Sequence, residues 1–201
     1  EPEQFGVRSK MRKRNDLDAF KESVKSGERD AKKLREDHTE VAARYPRFFD
    51  AYIKDHTPQP DIEYHPLRDW QQDLYNDLKA KPDKRTITFI VDSEGNRGKT
   101  WFAQYYCDLH SDATILEPGK KHDMTYALPD SLRVLFINCT REQCEYLSYS
   151  FLESCKDGWV FSPKYESRNK RYSAMHVVVL MNQSPDLEKL SRDRYKIIEL
   201  K

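Results

Sequence analysis

The sequence lacks any apolar run long enough for a secretory leader or a membrane span. It also lacks a dominant sign of charge: 34% of the residues are charged, yet the formal net charge is +1. A global basic field announcing a nucleic-acid partner is therefore excluded, and any such signal has to be local. The four cysteines, Cys107, Cys139, Cys144 and Cys155, form no Cys-x-x-Cys pair and no zinc-type Cys/His spacing. Free thiols in a reducing, intracellular setting are the expectation. Internal repeats, low-complexity tracts and a His-x-His pair are absent as well. The chain opens at Glu1 rather than at a methionine, which raises the expectation of a piece of a longer protein.

What is present falls into four stretches. Residues 1–14 are polar and include "RSKMRKR" (8–14), with five basic side chains in seven. They read as a solvated tail or linker, or as a targeting or nucleic-acid-contacting segment. Residues 15–56 read as helices: "NDLDAFKESVKSG" has an Asn/Asp start, Leu17, Phe20 and Val24 at helical spacing, and a Gly stop. "RDAKKLREDHTEVAARYP" and "PRFFDAYIKDH" follow, each with a thin apolar stripe. Together they make a small bundle suited to oligomerisation. Residues 57–66, with three prolines and no periodicity, read as a linker.

From residue 67 the pattern changes. "LRDWQQDLYNDLKA" (67–80) is an amphipathic helix, and "RTITFIVD" (85–92) is β-branched enough for a buried strand. "GKTWFAQYYCDLH" (98–110) is helical. "ATILEP", "RVLFIN" (133–138), "HVVVLMN" (176–182) and "RYKIIEL" (194–200) are further short strands, with a helix expected over 141–158. Strands alternating with helices predict an α/β domain over 67–201 with a largely parallel sheet and flanking helices.

The first strand runs into "SEGNRGKT", close to the G-x-x-x-x-G-K-[ST] phosphate loop (P-loop). Ser93 stands at the first Gly position. Gly95 and Gly98 let the backbone turn its N–H groups inward, and Asn96 can replace a Gly in a left-handed turn. With Arg97 they complete the loop, whose helix aims its positive end at bound phosphates. Lys99 would reach the phosphates of ATP, and Thr100 would hold Mg²⁺ through its hydroxyl. The strand "RVLFIN" ends in Asn138, where an Asp normally helps to hold the Mg²⁺. Asn is isosteric with Asp but neutral, so nucleotide binding with slow hydrolysis is expected. Asn182, at the tip of "HVVVLMN", would orient the attacking water or simply start a turn. Arg192 and Arg194, just before the last strand, are either surface ion-pair partners or arginines offered across a subunit boundary.

These elements, in this order, resemble the helicase domain of the replication-associated (Rep) proteins of circular single-stranded DNA viruses. The similarity is to the superfamily 3 branch, an AAA+-like class whose loop reads D-x-x-G-N-x-G-K-[ST]. The matching stretches are "VDSEGNRGKTWF", "VLFINCTRE", "LESCKDGWVFSPKYES", "HVVVLMNQSPD" and "LSRDRYKIIEL". With "LRDWQQDL" they cover residues 67–201, and 15–56 looks like the family's oligomerisation bundle. The resemblance implies Lys99 and Thr100 as the Walker A pair and Asn138 at the Walker B aspartate, with Arg141 three residues on. It implies Asn182 as the sensor and Arg194 as the arginine finger, with Arg192 the weaker candidate. It also implies ATP and Mg²⁺ as cofactors, a homo-oligomeric ring of about six chains, single-stranded DNA as partner and the host nucleus as setting. An N-terminal endonuclease domain, marked in the family by His-hydrophobic-His, is missing from this stretch.

"KDGWVFSPKYESRNKRYS" (156–173) is the most basic folded stretch, and "GWVFS" can pair with "RYSAM" around a "PKYESRNK" tip. Taken alone it is a solvated hairpin. In the resembled family a hairpin here lines the ring's channel, which implies Lys164 as the main phosphate contact and Tyr165 as a stacking partner. Arg168 and Lys170 assist, and Lys120 and Lys121 are lesser candidates. The expected function is an ATP-dependent DNA helicase domain of a viral rolling-circle replication initiator, moving along single-stranded DNA. Its rivals are a ring that binds ATP and DNA without turnover because of Asn138, and an RNA-directed helicase of the same superfamily. Cys139 follows Asn138, so no adjacent acid activates water, and Glu142 is the substitute considered.

Overall fold

The computed structural model describes residues 15–164 and 167–201. The basic segment 8–14 and Tyr165 lie outside the described residues. The described residues divide into two compact units, with the boundary between Asp61 and Ile62.

The described residues of the first unit form four helices: α1 (Asn15–Lys25), α2 (Ala31–Asp37), α3 (Thr39–Arg44) and α4 (Pro46–Asp55). Phe20 and Val24, four residues apart on one face of α1, close with Leu34, Val41, Phe49 and Ile53 into a core. Phe20 and Phe49 stack at 4.6 Å. Asp30 caps α2 by accepting from the N–H groups of Lys32 and Lys33, and Pro46 opens α4 where its missing N–H costs nothing. The sequence predicts one helix over 29–46. The chain instead breaks at His38, whose Nε2 lies 2.9 Å from Ser23 Oγ and whose ring meets the edge of Phe20. The break is one residue long, and the His38 N–H still donates to the Leu34 carbonyl at 3.0 Å.

The second unit is built on a five-stranded, all-parallel sheet. The strands are β1 (Ile87–Val91), β2 (Ala113–Leu116), β3 (Val134–Asn138), β6 (His176–Met181) and β7 (Tyr195–Glu199), in the order β2-β3-β6-β1-β7. β4 (Trp159–Ser162) and β5 (Arg168–Arg171) form a separate antiparallel hairpin. Side chains of the central strands alternate between two apolar layers, which is why these strands read as unbroken hydrophobic runs. On one face Ile90, Phe136, Val178 and Leu180 meet α5 (Asp69–Lys79) and α6 (Lys99–Leu109) through Leu74, Leu78, Phe102 and Tyr106. On the other, Phe89, Leu135, Ile137 and Val179 meet α7 (Lys121–Ala127) and α8 (Tyr149–Asp157) through Met124, Phe151, Leu152 and Cys155. Each fully buried Phe in these layers contributes about 1.5–3 kcal/mol.

Three local expectations change. Residues 62–66 are not free linker: Glu63 accepts from the Trp101 indole at 2.9 Å, and His65 stacks on Trp101 at 3.7 Å. The helix expected over 141–158 splits into a 3-10 turn at Cys144–Tyr146 and α8. The hairpin pairs "WVFS" with "RNKR", not with "RYSAM". Its register starts at Gly158, a left-handed residue (φ 72) that ends α8 and whose carbonyl accepts from the Tyr172 N–H at 2.9 Å. A Cβ there would lie 2.6 Å from the Tyr172 carbonyl.

Candidate functional site

β1 delivers its C-terminal end to the phosphate loop. Left-handed backbone falls on Gly95 (φ 91), Asn96 (φ 62) and Gly98 (φ 77), not on Ser93. That explains how Ser93 tolerates the first position of the motif: the turn asks for no positive φ there. Gly98 also sits where a Cβ would come within 2.9 Å of the Gln71 amide. Gln71 Nε2 donates to the Gly98 carbonyl at 3.1 Å, and the Trp70 indole donates to the Arg97 carbonyl at 3.2 Å. Helix α5 thus fixes the back of the loop, and α6 leaves it with its N-terminus facing the cavity.

Inside the loop, Lys99 Nζ donates to Asp92 Oδ2 at 2.8 Å and to Asn182 Oδ1 at 2.9 Å. Asp92 is fully buried and also accepts from the N–H of Gly95 at 2.7 Å and of Arg97 at 3.3 Å. Burial alone would raise its carboxyl pKa. The Lys99 ammonium and the two loop N–H groups outweigh burial and hold it below its usual range. Thr100 Oγ1 donates to Asn138 Oδ1 at 3.1 Å. Asn138 ends β3, and β6, which leads into Asn182, lies between β3 and β1. The sheet order therefore brings Lys99, Thr100, Asn138 and Asn182 to one point. They line a cavity of about 560 Å³ with the loop, Trp101 and Arg141, within the range of small-molecule sites. Arg141 reaches over the loop to the carbonyls of Ser93 and Glu94, both at 3.4 Å.

Other expected site residues lie elsewhere. Arg194 is buried in the turn before β7, which pairs Tyr195 with Ile87 at the end of the strands opposite the loop. Its guanidinium contacts Asp157 at 3.2 Å and Glu153 at 3.5 Å, both on α8. It is thereby committed inside its own chain, a correction to its reading as an arginine offered to a neighbour. Arg192, two residues earlier, is exposed. Lys170 also needs correction: it points inward at 6% exposure and donates to the carbonyls of Tyr126 and Leu128 at the end of α7. It anchors the hairpin from its inner face and is not part of its solvent-facing side. Lys121 is used similarly, donating to Ser150 and Ser154 of α8 at 3.1 Å each. Lys164 and Arg168 remain at the surface, paired with Asp123 and Asp130 respectively. Glu142 does not line the cavity. Cys139 is buried, its thiol pushed up to about 12, so it is no nucleophile.

Sequence reasoning missed Asp92 as a partner of Lys99, although the Asp of "VDSEGN" was its signal. It also missed Trp101, which packs against His65 and Tyr105 at the cavity's rim. Among the described residues, no group of three or more His, Cys, Asp or Glu could hold a metal ion.

The loop, its strand order and the polar tips of β3 and β6 define a P-loop-like parallel α/β domain. No protein-family model matches the chain. Individual relatives do. The chain is 38% identical over 138 residues to Para-Rep C9 of Faba bean necrotic yellows C9 alphasatellite, covering 66% of this chain and 47% of that protein. Para-Rep C7 of Faba bean necrotic yellows C7 alphasatellite is 36% identical over 138 residues, 66% of this chain and 48% of its own length. Para-Rep C10 of Milk vetch dwarf C10 alphasatellite is 35% identical over 138 residues, 66% of this chain and 48% of its own length. The C-terminal two thirds of the chain is homologous to these Para-Rep proteins. The chain spans about half the length of the curated relatives it matches. A solved structure titled "The A form apo structure of NrS-1 C terminal region-CTR" aligns at a TM-score of 0.42 and 10% identity, over 71% of this chain and 41% of that one.

Proposed function

We propose that residues 62–201 form an ATP-binding motor domain of a Rep-type replication protein, acting on single-stranded DNA as a ring of identical chains. The observation that carries this reading is the position of Lys99 Nζ between Asp92 and Asn182, beside the Thr100–Asn138 contact, in a Rep homologue.

The residues present fit Mg²⁺ and ATP. The left-handed turns at Gly95, Asn96 and Gly98 point to a cradle of N–H donors, and the N-terminus of α6 adds the favourable end of a helix dipole. Bound nucleotide supplies a phosphoanhydride whose hydrolysis drives movement, with the ion neutralising charge as it develops. Lys99 would exchange Asp92 for phosphate oxygens while Asn182 keeps the ammonium in place. Thr100 and Asn138 would hold the ion. Arg141 stands close enough to add positive charge over the loop. Asn138 offers an oxygen without negative charge, so it would hold the ion less firmly than an Asp would, and turnover would be slow. Arg192, exposed before β7, is the arginine available to a neighbouring chain, and such head-to-tail contacts close into a ring. Lys164 and Arg168 would contact phosphates of the strand in the channel. The nuclear setting belongs to the same reading.

One observation favours a second reading, a ring that binds ATP and DNA without turnover: the neutral Asn138 on Thr100. Single-strand-stimulated ATP hydrolysis and unwinding of a forked duplex, measured for the natural chain and Asn138→Asp, separate the two. The motor reading expects measurable turnover that rises at least about tenfold in the variant, the effect of about 1.4 kcal/mol on the barrier. No turnover in either protein, with nucleotide and strand both bound, overturns the motor.

A further inference from the structure

The hairpin has two faces of opposite character. Val160 and Ser162 of β4 point inward, at 0% and 1% exposure, and Lys170 of β5 joins them. Trp159 and Phe161 point outward at 52% and 53% exposure. The cross-strand register sets Arg171 opposite Trp159 and Asn169 opposite Phe161. The outward face is therefore Trp159, Phe161, Asn169 and Arg171, with no carboxylate among them. The Arg171 guanidinium lies 4.6 Å from the Trp159 ring centre, within cation–π range. The Trp159 indole donates to Asn169 Oδ1 at 3.3 Å. The larger ring is thus held in one orientation before any ligand arrives.

Two large aromatics on alternate positions of one strand stand roughly 6.6 Å apart, close to one phosphodiester repeat of an extended strand. Every base has a π-face, and a flanking guanidinium suits the phosphates between. A second copy of the chain is a poorer occupant. Two four-residue strands present a face of roughly 13 by 10 Å, against about 800 Å² per partner in a stable protein interface. We propose that this face is a stacking shelf for successive unpaired bases, with Arg171 holding Trp159 and meeting the backbone. The proposal rests on the single-strand-binding reading above and adds to it a base-contacting surface separate from the surface cations Lys164 and Arg168.

The test compares two oligodeoxynucleotides of equal length and charge, one with bases and one with abasic sites throughout. Their affinities for the 201-residue chain and for Trp159→Ala/Phe161→Ala are read by fluorescence anisotropy. Both positions are exposed, so the variant keeps its fold, which far-UV circular dichroism checks. The natural chain should prefer the base-bearing strand by about tenfold or more, and the double variant should lose that preference by weakening on the base-bearing strand alone. Trp159→Tyr should retain most of it. A double variant that keeps the natural affinity and preference overturns the shelf and leaves strand binding standing. If that variant also sediments as a smaller particle, the face joins copies of the chain instead. A natural chain that binds neither strand removes the broader reading, and the shelf with it.

Discussion

The Lys99 ammonium lies 2.8 Å from Oδ2 of Asp92, a carboxylate with no exposure to solvent. Asp92 also gathers the Gly95 and Arg97 N–H groups, so one side chain shapes the loop and occupies its lysine. A bound phosphate would compete with Asp92 for Lys99. The ion pair therefore holds the loop in shape and sets part of the cost of loading it.

Replacing Asp92 with Asn should expose that double role. The variant keeps one acceptor for the loop but loses the charge facing Lys99, which retains Asn182. We expect destabilisation of about 1–3 kcal/mol in urea titrations. Mg·ATP should recover more stability in Asp92→Asn than in the natural chain, because Lys99 no longer has to leave a carboxylate.

The same pair sets an acid dependence. Burial pushes the Asp92 pKa up, but Lys99 and the two loop N–H groups together bring it below the ordinary value of 3.8. A carboxyl whose folded pKa is depressed contributes stability that is fully present above its unfolded value. That contribution is lost as pH falls through the folded value. The stability gap between the natural chain and Asp92→Asn should be flat from about pH 7 to about pH 5 and shrink as the pH falls below about 4.

The two arginines before β7 should separate cleanly. Arg194→Ala removes a buried guanidinium from Glu153 and Asp157. Both partners are well exposed and regain water, so the loss should be about 1–3 kcal/mol. Arg192→Ala, at an exposed position, should change stability by no more than about 0.5 kcal/mol and lower ATP turnover in the assembled particle. Equal stability losses would contradict the assignment.

The hairpin lysines differ in the same way, and salt dependence reads the difference. Lys164→Ala should lower the slope of log affinity against log salt for a single strand by about 0.7. Lys170→Met should leave that slope unchanged while costing about 1–3 kcal/mol of stability. The carbonyls of Tyr126 and Leu128 lose their buried donor there.

The sequence made β1, β3 and β6 visible because both faces of those strands are covered, leaving no polar alternation to confuse them with surface strands. The loop was visible because Gly95, Asn96 and Gly98 are residue types that tolerate positive φ. Buried cations were not. Lys156 read as solvated charge, Lys170 as a strand contact and Arg194 as an arginine for a neighbour, and their acceptors come from distant segments: Lys156 donates to the Asp83 and Met175 carbonyls at 2.7 and 2.9 Å. Helix α7 is seven residues long, too short to show a period. The hairpin register escaped for a related reason: "RNKR" has no apolar alternation, and its pairing follows from Gly158 and the inward turn of Lys170.

Calorimetric titration of Mg·ATP into the natural chain and Lys99→Ala tests the central claim, a nucleotide site at this loop, most directly. The account predicts one nucleotide per chain in the natural protein and affinity at least about tenfold weaker in the variant, the equivalent of about 1.4 kcal/mol. Equal affinity in the two proteins, or no binding by the natural chain, would contradict it.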